Sequence, residues 1–197
     1  MTNEWWYWNI VSRLWENSFS MTISLEDTCN LFDFLEKTSV LDGDVAEVGV
    51  AEGGSAAVIC EAKKGKVAHF FDTFTGLPKP TKEDEGSAFA KGQFATDYKK
   101  VKKFLKRYPD VFLYKGTFPK TAEPIKDKMF SFVHLDADLY KSTKEALEFF
   151  WPRMSPGGVI ISHDYQTEKG VKKAFADALL GIETQKIGRS QGFVIKI

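Results

Sequence analysis

Two short apolar runs, Phe130-Ser131-Phe132-Val133-His134-Leu135 and Val159-Ile160-Ile161-Ser162, each end on a polar cluster, Asp136-Ala137-Asp138 and His163-Asp164. Between them, residues 142–153 and Met154 carry Ala146, Leu147, Phe149, Phe150 and Met154 at helical spacing, and Ser155-Pro156-Gly157-Gly158 closes the segment. A strand, helix, strand unit within one sheet returns parallel and right-handed, so both clusters should emerge at the same sheet edge. In open α/β sheets that carboxyl edge is where ligands bind.

The same alternation runs almost the whole length of the chain. Ser24-Leu25-Glu26-Asp27 is a capping-box pattern opening a helix with Leu31, Phe32, Phe34 and Leu35 on its apolar side. Strands are expected at 45–49, 67–71 and 111–114, with helices at 55–63, about 97–108 and 171–180. Residues 183–187 and 193–197, joined by the turn-like 188–192, read as a terminal hairpin. The expectation is an α/β fold of five parallel strands with helices on both faces plus that hairpin, in one domain spanning 1–197. An aromatic-rich helical segment, 1–40, precedes the core, 41–197.

Formal net charge is zero, so no global field draws the chain to nucleic acid or to an anionic membrane. No apolar run approaches the ~18 residues of a membrane span, and Met1-Thr2-Asn3-Glu4-Trp5 lacks the basic start of a signal peptide. Cys29 and Cys60 have neither metal nor redox spacing and read as reduced core residues. These features fit a cytoplasmic protein.

The segment Glu47-Val48-Gly49-Val50-Ala51-Glu52-Gly53-Gly54-Ser55 follows the first strand. A dinucleotide site would need a second glycine where Ala51 stands, and Glu47 and Glu52 would repel a pyrophosphate. S-adenosylmethionine carries a sulfonium and an ammonium and no phosphate, so the same acids suit it. Asp72, followed by Thr73, ends the second strand near the ~20-residue offset at which an acid meets ribose hydroxyls. The bland alternative for this loop is a tight strand-helix turn with a capping acid. Gly116-Thr117-Phe118 follow the third strand, either as a contact to the adenosine or as a plain turn.

Asp136, Asp138 and Asp164 are hard oxygen ligands, and His163 adds an imidazole. Carboxylates converging on one edge repel unless a cation or protons intervene. Mg²⁺ answers that need, because it takes few protein oxygens and leaves positions for substrate. The competing reading makes Asp138 and Asp164 ordinary helix and loop caps.

The stretch from Phe132 to Tyr165, with Asp136-Ala137-Asp138-Leu139-Tyr140-Lys141-Ser142-Thr143 within it, resembles the signature of macrocin-type O-methyltransferases. Phe71-Asp72-Thr73-Phe74-Thr75-Gly76-Leu77-Pro78 and Gly170-Val171-Lys172-Lys173-Ala174-Phe175 are similar to that family's second-strand and last-helix motifs. The resemblance implies a Rossmann-like class I methyltransferase fold, with a mostly parallel seven-stranded sheet and a C-terminal antiparallel hairpin. It implies S-adenosylmethionine and Mg²⁺ as cofactors, Asp136, His163 and Asp164 as metal ligands, Asp138 as general base and Asp72 on the ribose. Asp136 also falls among the residues expected near the cofactor, with Glu47, Gly49, Glu52, Gly53, Ser55 and the residues named above. Family members usually carry two aspartates where this chain has His163-Asp164, and an imidazole shifts preference from Mg²⁺ toward Mn²⁺, Fe²⁺ or Zn²⁺.

The reading that results is a metal-dependent O-methyltransferase acting on a hydroxyl of a vicinal diol, a sugar first among the candidates. The alternatives are a methyltransferase acting on nucleic acid or protein through the basic helix, and a cofactor-binding module without turnover. Lys99, Lys100, Lys102, Lys103, Lys106 and Arg107 read first as a solvated helix face. His69 and His134 sit inside predicted strands and read as core or supporting groups. Trp8, Val11 and Trp15 share a helical stripe, which serves as core packing, as the contact of a homo-oligomer or as a lid.

Overall fold

The computed structural model describes residues 5–16, 19 and 21–197. The apolar runs become strands β1 (Asp44–Val48), β2 (Ala68–Asp72), β3 (Val111–Lys115), β4 (Phe130–Leu135) and β5 (Met154–Ser162). These five run parallel to one another, while β6 (Gln185–Ile187) and β7 (Gln191–Ile195) form an antiparallel hairpin whose β7 pairs antiparallel with β5. The strand order is β3-β2-β1-β4-β5-β7-β6, the expected mostly parallel seven-stranded sheet.

The runs look uninterrupted in sequence because both faces of the sheet are covered. Successive residues of one strand therefore enter different halves of the core. Val45, Phe70, Phe132 and Ile161 pack on one face with Leu31 of α2 (Leu25–Thr38), Ile59 of α3 (Gly54–Ala62) and Phe104 of α4 (Tyr98–Leu105). Ala46, Phe71, Val133 and Ile160 pack on the other with Leu147 and Phe150 of α5 (Tyr140–Phe150) and Phe175 of α6 (Lys169–Ala178). The first helix, α1 (Trp5–Glu16), adds Ile10 to the former half.

Beyond small shifts at other element ends, three features differ from the sequence expectation. Strand β5 begins at Met154, so Ser155-Pro156-Gly157-Gly158 is part of the strand: Met154 pairs with Phe130, a register shift follows, and Gly157 N donates to Lys196 O. Helix α5 stops at Phe150 and gives way to a 3₁₀ turn over Trp151–Arg153, where Pro152 supplies no amide. The aromatic stripe of α1 is not buried as a unit, since Trp8 is 59% exposed and Ile10 is the buried residue; the Trp15 side chain lies outside the described residues. No helix among the described residues is long and apolar enough to cross a membrane.

This topology fixes where a ligand can sit. From β1 the chain moves outward through β2 and β3, and then returns to the other side of β1 as β4. The loops leaving β1 and β4 thus diverge, which opens a crevice at the carboxyl ends of those two strands.

Candidate active site

The two loops at the crevice approach as closely as backbones can. Gly49 N donates to Phe71 O, and Asp136 N donates to Val48 O, both at 2.9 Å. Gly49 has φ +94°, and a Cβ on it would lie 1.9 Å from the Asp136 carbonyl oxygen, so only glycine fits. A cavity of about 550 Å³ opens there, within the ordinary range for small-molecule sites. Asp136, Asp138, His163 and Asp164 line one wall, and Gly49, Asp72 and Thr73 another. Gly116, Thr117 and Phe118 also reach the cavity.

The polar wall is a tight charge cluster. His163 Nδ1 lies 3.3 Å from Asp136 Oδ1 and 3.1 Å from Asp164 Oδ1, while His163 Nε2 lies 3.6 Å from Asp27 Oδ2. Burial alone would depress the His163 pKa, but Asp136, Asp164 and Asp27 drive it well above its ordinary value, so the unliganded ring is a cation. Burial likewise opposes ionisation of Asp136, yet His163 pulls its pKa down; Asp164, facing both burial and Asp136, is shifted up. Asp138 is pushed up to about 9, by burial first and then by the charges of Asp136 and Asp164.

The donor set suits a divalent ion. One ligand atom from each of Asp136, His163 and Asp164 falls within 4.8 Å of the others. Asp164 is 6% exposed, and its Oδ2 is buried without a hydrogen-bond partner among the described residues, an acceptor left over for a cation.

Other expected residues are placed differently. Glu47 is fully buried in β1, its carboxylate taking His134 Nδ1 at 2.8 Å, and it does not line the cavity. The register of β1 and β4 sets Glu47 opposite His134, so the acid forms a pair inside the sheet. Glu52, Gly53 and Ser55 also lie off the cavity lining, Gly53 as the N-cap of α3 with Ser55 in its first turn. Asp72 is at the cavity, but its carboxylate already accepts from Val50 N, Ala51 N and Phe74 N at 2.8, 2.9 and 2.6 Å. It ties the loops after β1 and β2 together. His69 is buried and satisfied by Asp44 Oδ2 and Tyr114 OH.

The long polar segment after β2 also forms part of the cavity through Leu77, Pro78, Phe89, Gly92, Gln93 and Phe94. Leu77 N donates to Gln93 O and Gly92 N to Leu77 O, closing the segment into a loop. Asp84 anchors it, accepting from Tyr140 N at 2.7 Å at the start of α5 and packing on Gly170 of α6. The lysines of α4 and Arg107 are exposed, with Val101, Phe104 and Leu105 turned inward, and none of them lines this cavity.

Asp27 was legible in sequence only as the acid of a capping box. The N-cap half of the box forms, with Ser24 Oγ accepting from Asp27 N at 3.1 Å, while the Asp27 carboxylate accepts from the Ser24 hydroxyl at 2.6 Å in place of the cap's backbone N–H. Its place behind His163 depends on how α2 packs, which no local pattern reports.

Residues 26–181 match the macrocin O-methyltransferase (TylF) family. The chain is 28% identical over 174 residues to the 8-demethyl-8-(2,3-dimethoxy-alpha-L-rhamnosyl)-tetracenomycin-C 4'-O-methyltransferase of Streptomyces olivaceus, covering 79% of this chain and 66% of that protein. It is 29% identical over 140 residues to the mycinamicin III 3''-O-methyltransferase of Micromonospora griseorubida, covering 62% and 55%. The match thus spans about two thirds or less of these relatives' lengths. The crystal structure of the calicheamicin methyltransferase CalS11 superposes with a TM-score of 0.76 at 17% identity, covering 99% of this chain and 93% of that one, a likeness of fold.

Proposed function

The chain belongs to the macrocin O-methyltransferase family, and we propose that it transfers a methyl group from S-adenosylmethionine to a hydroxyl of a sugar vicinal diol with the help of a divalent metal ion. The observation that carries this reading is the convergence of Asp136, Asp138, His163 and Asp164 on one cavity that the Gly49 and Asp72 loops also line. The name of the first relative, a 4'-O-methyltransferase of a rhamnosyl-bearing compound, supports a sugar hydroxyl as the acceptor.

When bound, S-adenosylmethionine supplies a methyl on a cationic sulfonium, and a divalent ion supplies a Lewis acid that lowers the pKa of an acceptor hydroxyl. Asp136, His163 and Asp164 would hold the ion. The close approach of Gly49 to Asp136 leaves room for a ligand against bare backbone, and Asp72 fixes the loop on the other side. Asp138 receives the acceptor's proton as the oxygen–carbon bond forms and the sulfur–carbon bond breaks. Phe89, Phe94 and Leu77 give the cavity an apolar wall that excludes water and can lie against the sugar face.

Calorimetric titration of S-adenosylmethionine in EDTA, Mg²⁺ or Mn²⁺, each with and without a rhamnoside, tests the proposal. Cofactor binding with a rhamnoside response only in the presence of metal is expected. Absence of cofactor binding would remove the reading, and a response indifferent to EDTA would remove the metal from it.

Two further results are expected. Uptake of metal at Nδ1 displaces a proton from His163, whose pKa in the unliganded fold is raised. Mn²⁺ affinity therefore rises with pH, by about tenfold per unit between pH 6 and 8 for one proton released. A flat profile over that range would show that His163 is not a ligand. Asp72→Ala frees three backbone amides that must then be ordered on binding, so cofactor affinity falls on the order of 10- to 100-fold. An unchanged Kd in the same calorimeter would show that the carboxylate does not preorganise the loop.

A further inference from the structure

Asp27 lies 136 residues before His163 in the chain, yet its carboxylate closes the far side of that ring. It is 5% exposed and held on three sides: Ser24 Oγ donates to Oδ2 at 2.6 Å, Ser190 Oγ from the β6–β7 turn donates to Oδ1 at 2.8 Å, and His163 Nε2 stands 3.6 Å from Oδ2. The main chain of the same residue accepts from Gln191 Nε2, and Asn30 Nδ2 donates to Gln191 Oε1, so α2 and the hairpin are fastened together at this point.

The opposite edge of the ring faces two acceptors. Nε2 faces Asp27 Oδ2 at 3.6 Å, while Nδ1 meets Asp136 Oδ1 and Asp164 Oδ1, three potential donor atoms for an ion in one place, which the Nδ1 proton bridges in the unliganded ring. Only a cation or a proton can occupy their centre. The orphaned, buried Asp164 Oδ2 is a second sign that the polar inventory of this wall is incomplete without a ligand. A carboxylate that accepts from the second nitrogen of a ligating histidine fixes its tautomer and raises its basicity, and Asp27 Oδ2, at ion-pair distance from Nε2, needs only a few tenths of an ångström to make that bond.

We propose that Asp27 is the positioning residue of the metal centre: from α2 it holds the Nε2 side of His163, presents Nδ1 as the ligand, and biases the centre toward Mn²⁺, Fe²⁺ or Co²⁺ over Mg²⁺. The inference rests on the metal-dependent reading above. Its chemistry is that of a mixed centre, two carboxylates and one supported imidazole. Such a set favours borderline ions over Mg²⁺, which prefers oxygen alone.

The test measures Mn²⁺, Co²⁺ and Mg²⁺ affinities by calorimetry, with the Co²⁺ visible band as a second signal, in the wild type, Asp27→Asn, His163→Ala and the double variant. Asparagine keeps the size of the side chain, offering its oxygen to one of Ser24 and Ser190 and its amide N–H to the other, whose hydroxyl can turn to accept it. Asp27→Asn should weaken Mn²⁺ and Co²⁺ by about 10- to 100-fold, weaken Mg²⁺ less, and have no effect once His163 is alanine. Equal loss for all three ions, or a loss that persists in the His163→Ala background, would show that Asp27 acts through charge or fold and overturn the inference. Unchanged affinities in Asp27→Asn would overturn it while the metal site stands. A wild type that binds none of the ions would overturn the metal reading and this inference with it.

A measurement on the wild type needs no variant to fold. The chain has three histidines, so ¹⁵N-histidine labelling resolves each ring. In the Zn²⁺-loaded protein, His163 should show a ligated Nδ1 and a protonated Nε2. The reverse assignment would overturn the proposal.

Discussion

Asp138→Asn should lower turnover by about 10²- to 10⁴-fold, the usual range for a general base, with S-adenosylmethionine affinity unchanged. Asparagine is the informative replacement because Asp138 has φ +58°, a left-handed conformation that asparagine tolerates and β-branched or bulky residues do not. The backbone turn, in which Leu139 N donates to Ala137 O, is then preserved and only the acid is lost. Wild-type turnover in a metal-replete Asn variant would remove Asp138 from the role of base.

The same variant has a stability signature of opposite sign. Burial, Asp136 and Asp164 raise the Asp138 pKa to about 9 in the unliganded fold, whereas the unfolded chain releases that proton near the ordinary aspartate value. Between these two values the unfolded state binds fewer protons, so the group penalises folding increasingly as pH rises. Replacing it with asparagine removes the penalty, and the metal-free variant should melt at a higher temperature than the wild type at pH 7. A damaged fold would instead melt lower. A cation held by Asp136 and Asp164 offsets the charges of those two carboxylates, so Asp138 can act as a base near neutrality in the loaded site. The pH-rate profile should accordingly rise through a limb below pH 9 that the Asn variant lacks.

The convergence of Asp136, Asp138, His163 and Asp164 was legible because parallel strands buried on both faces read as apolar runs, and their ends are therefore marked in sequence. The crossover rule then supplies the common edge without any tertiary information. Strand β5 was harder to bound. Its first residues, Ser155-Pro156-Gly157-Gly158, have turn composition, and their strand geometry depends on partners from β4 and on Lys196 near the far end of the chain.

Side-chain partners across the fold were not legible. Glu47 belongs to a glycine loop by sequence and to a buried pair with His134 by sheet register. Two polar residues at equal depth in two apolar runs were the available signal, but using it requires knowing that β1 and β4 are neighbours. Asp27 presents the same difficulty in stronger form: its bonds with Ser24 look like a purely local helix start, so nothing in residues 24–28 hints at a second duty toward His163. Asp72 was located correctly at the sheet edge, while its three backbone partners depend on how two loops fold around it.

Gly49→Ala should abolish S-adenosylmethionine binding and cost at least about 3 kcal/mol of stability, the scale of a severe steric lesion. The added Cβ would lie 1.9 Å from the Asp136 carbonyl oxygen and 2.7 Å from its carbonyl carbon, and neither atom can yield as the end of a flexible side chain would. Relief requires β1 and β4 to part at their carboxyl ends, lengthening the Asp136 N to Val48 O bond and shifting the ligand-bearing Asp136. Backbone strain from φ +94° would add to this, and Gly65→Ala isolates that part, because Gly65 has φ +83° and a Cβ added there would meet no atom within 4 Å. Gly65→Ala should therefore cost only about 1 kcal/mol and bind cofactor normally in calorimetry. If both variants lose the same stability and both still bind, the close contact between the two loops is not what shapes the site. If only Gly49→Ala loses binding, the crevice at the strand-order reversal is the cofactor site, and its shape is set by the absence of one methyl group.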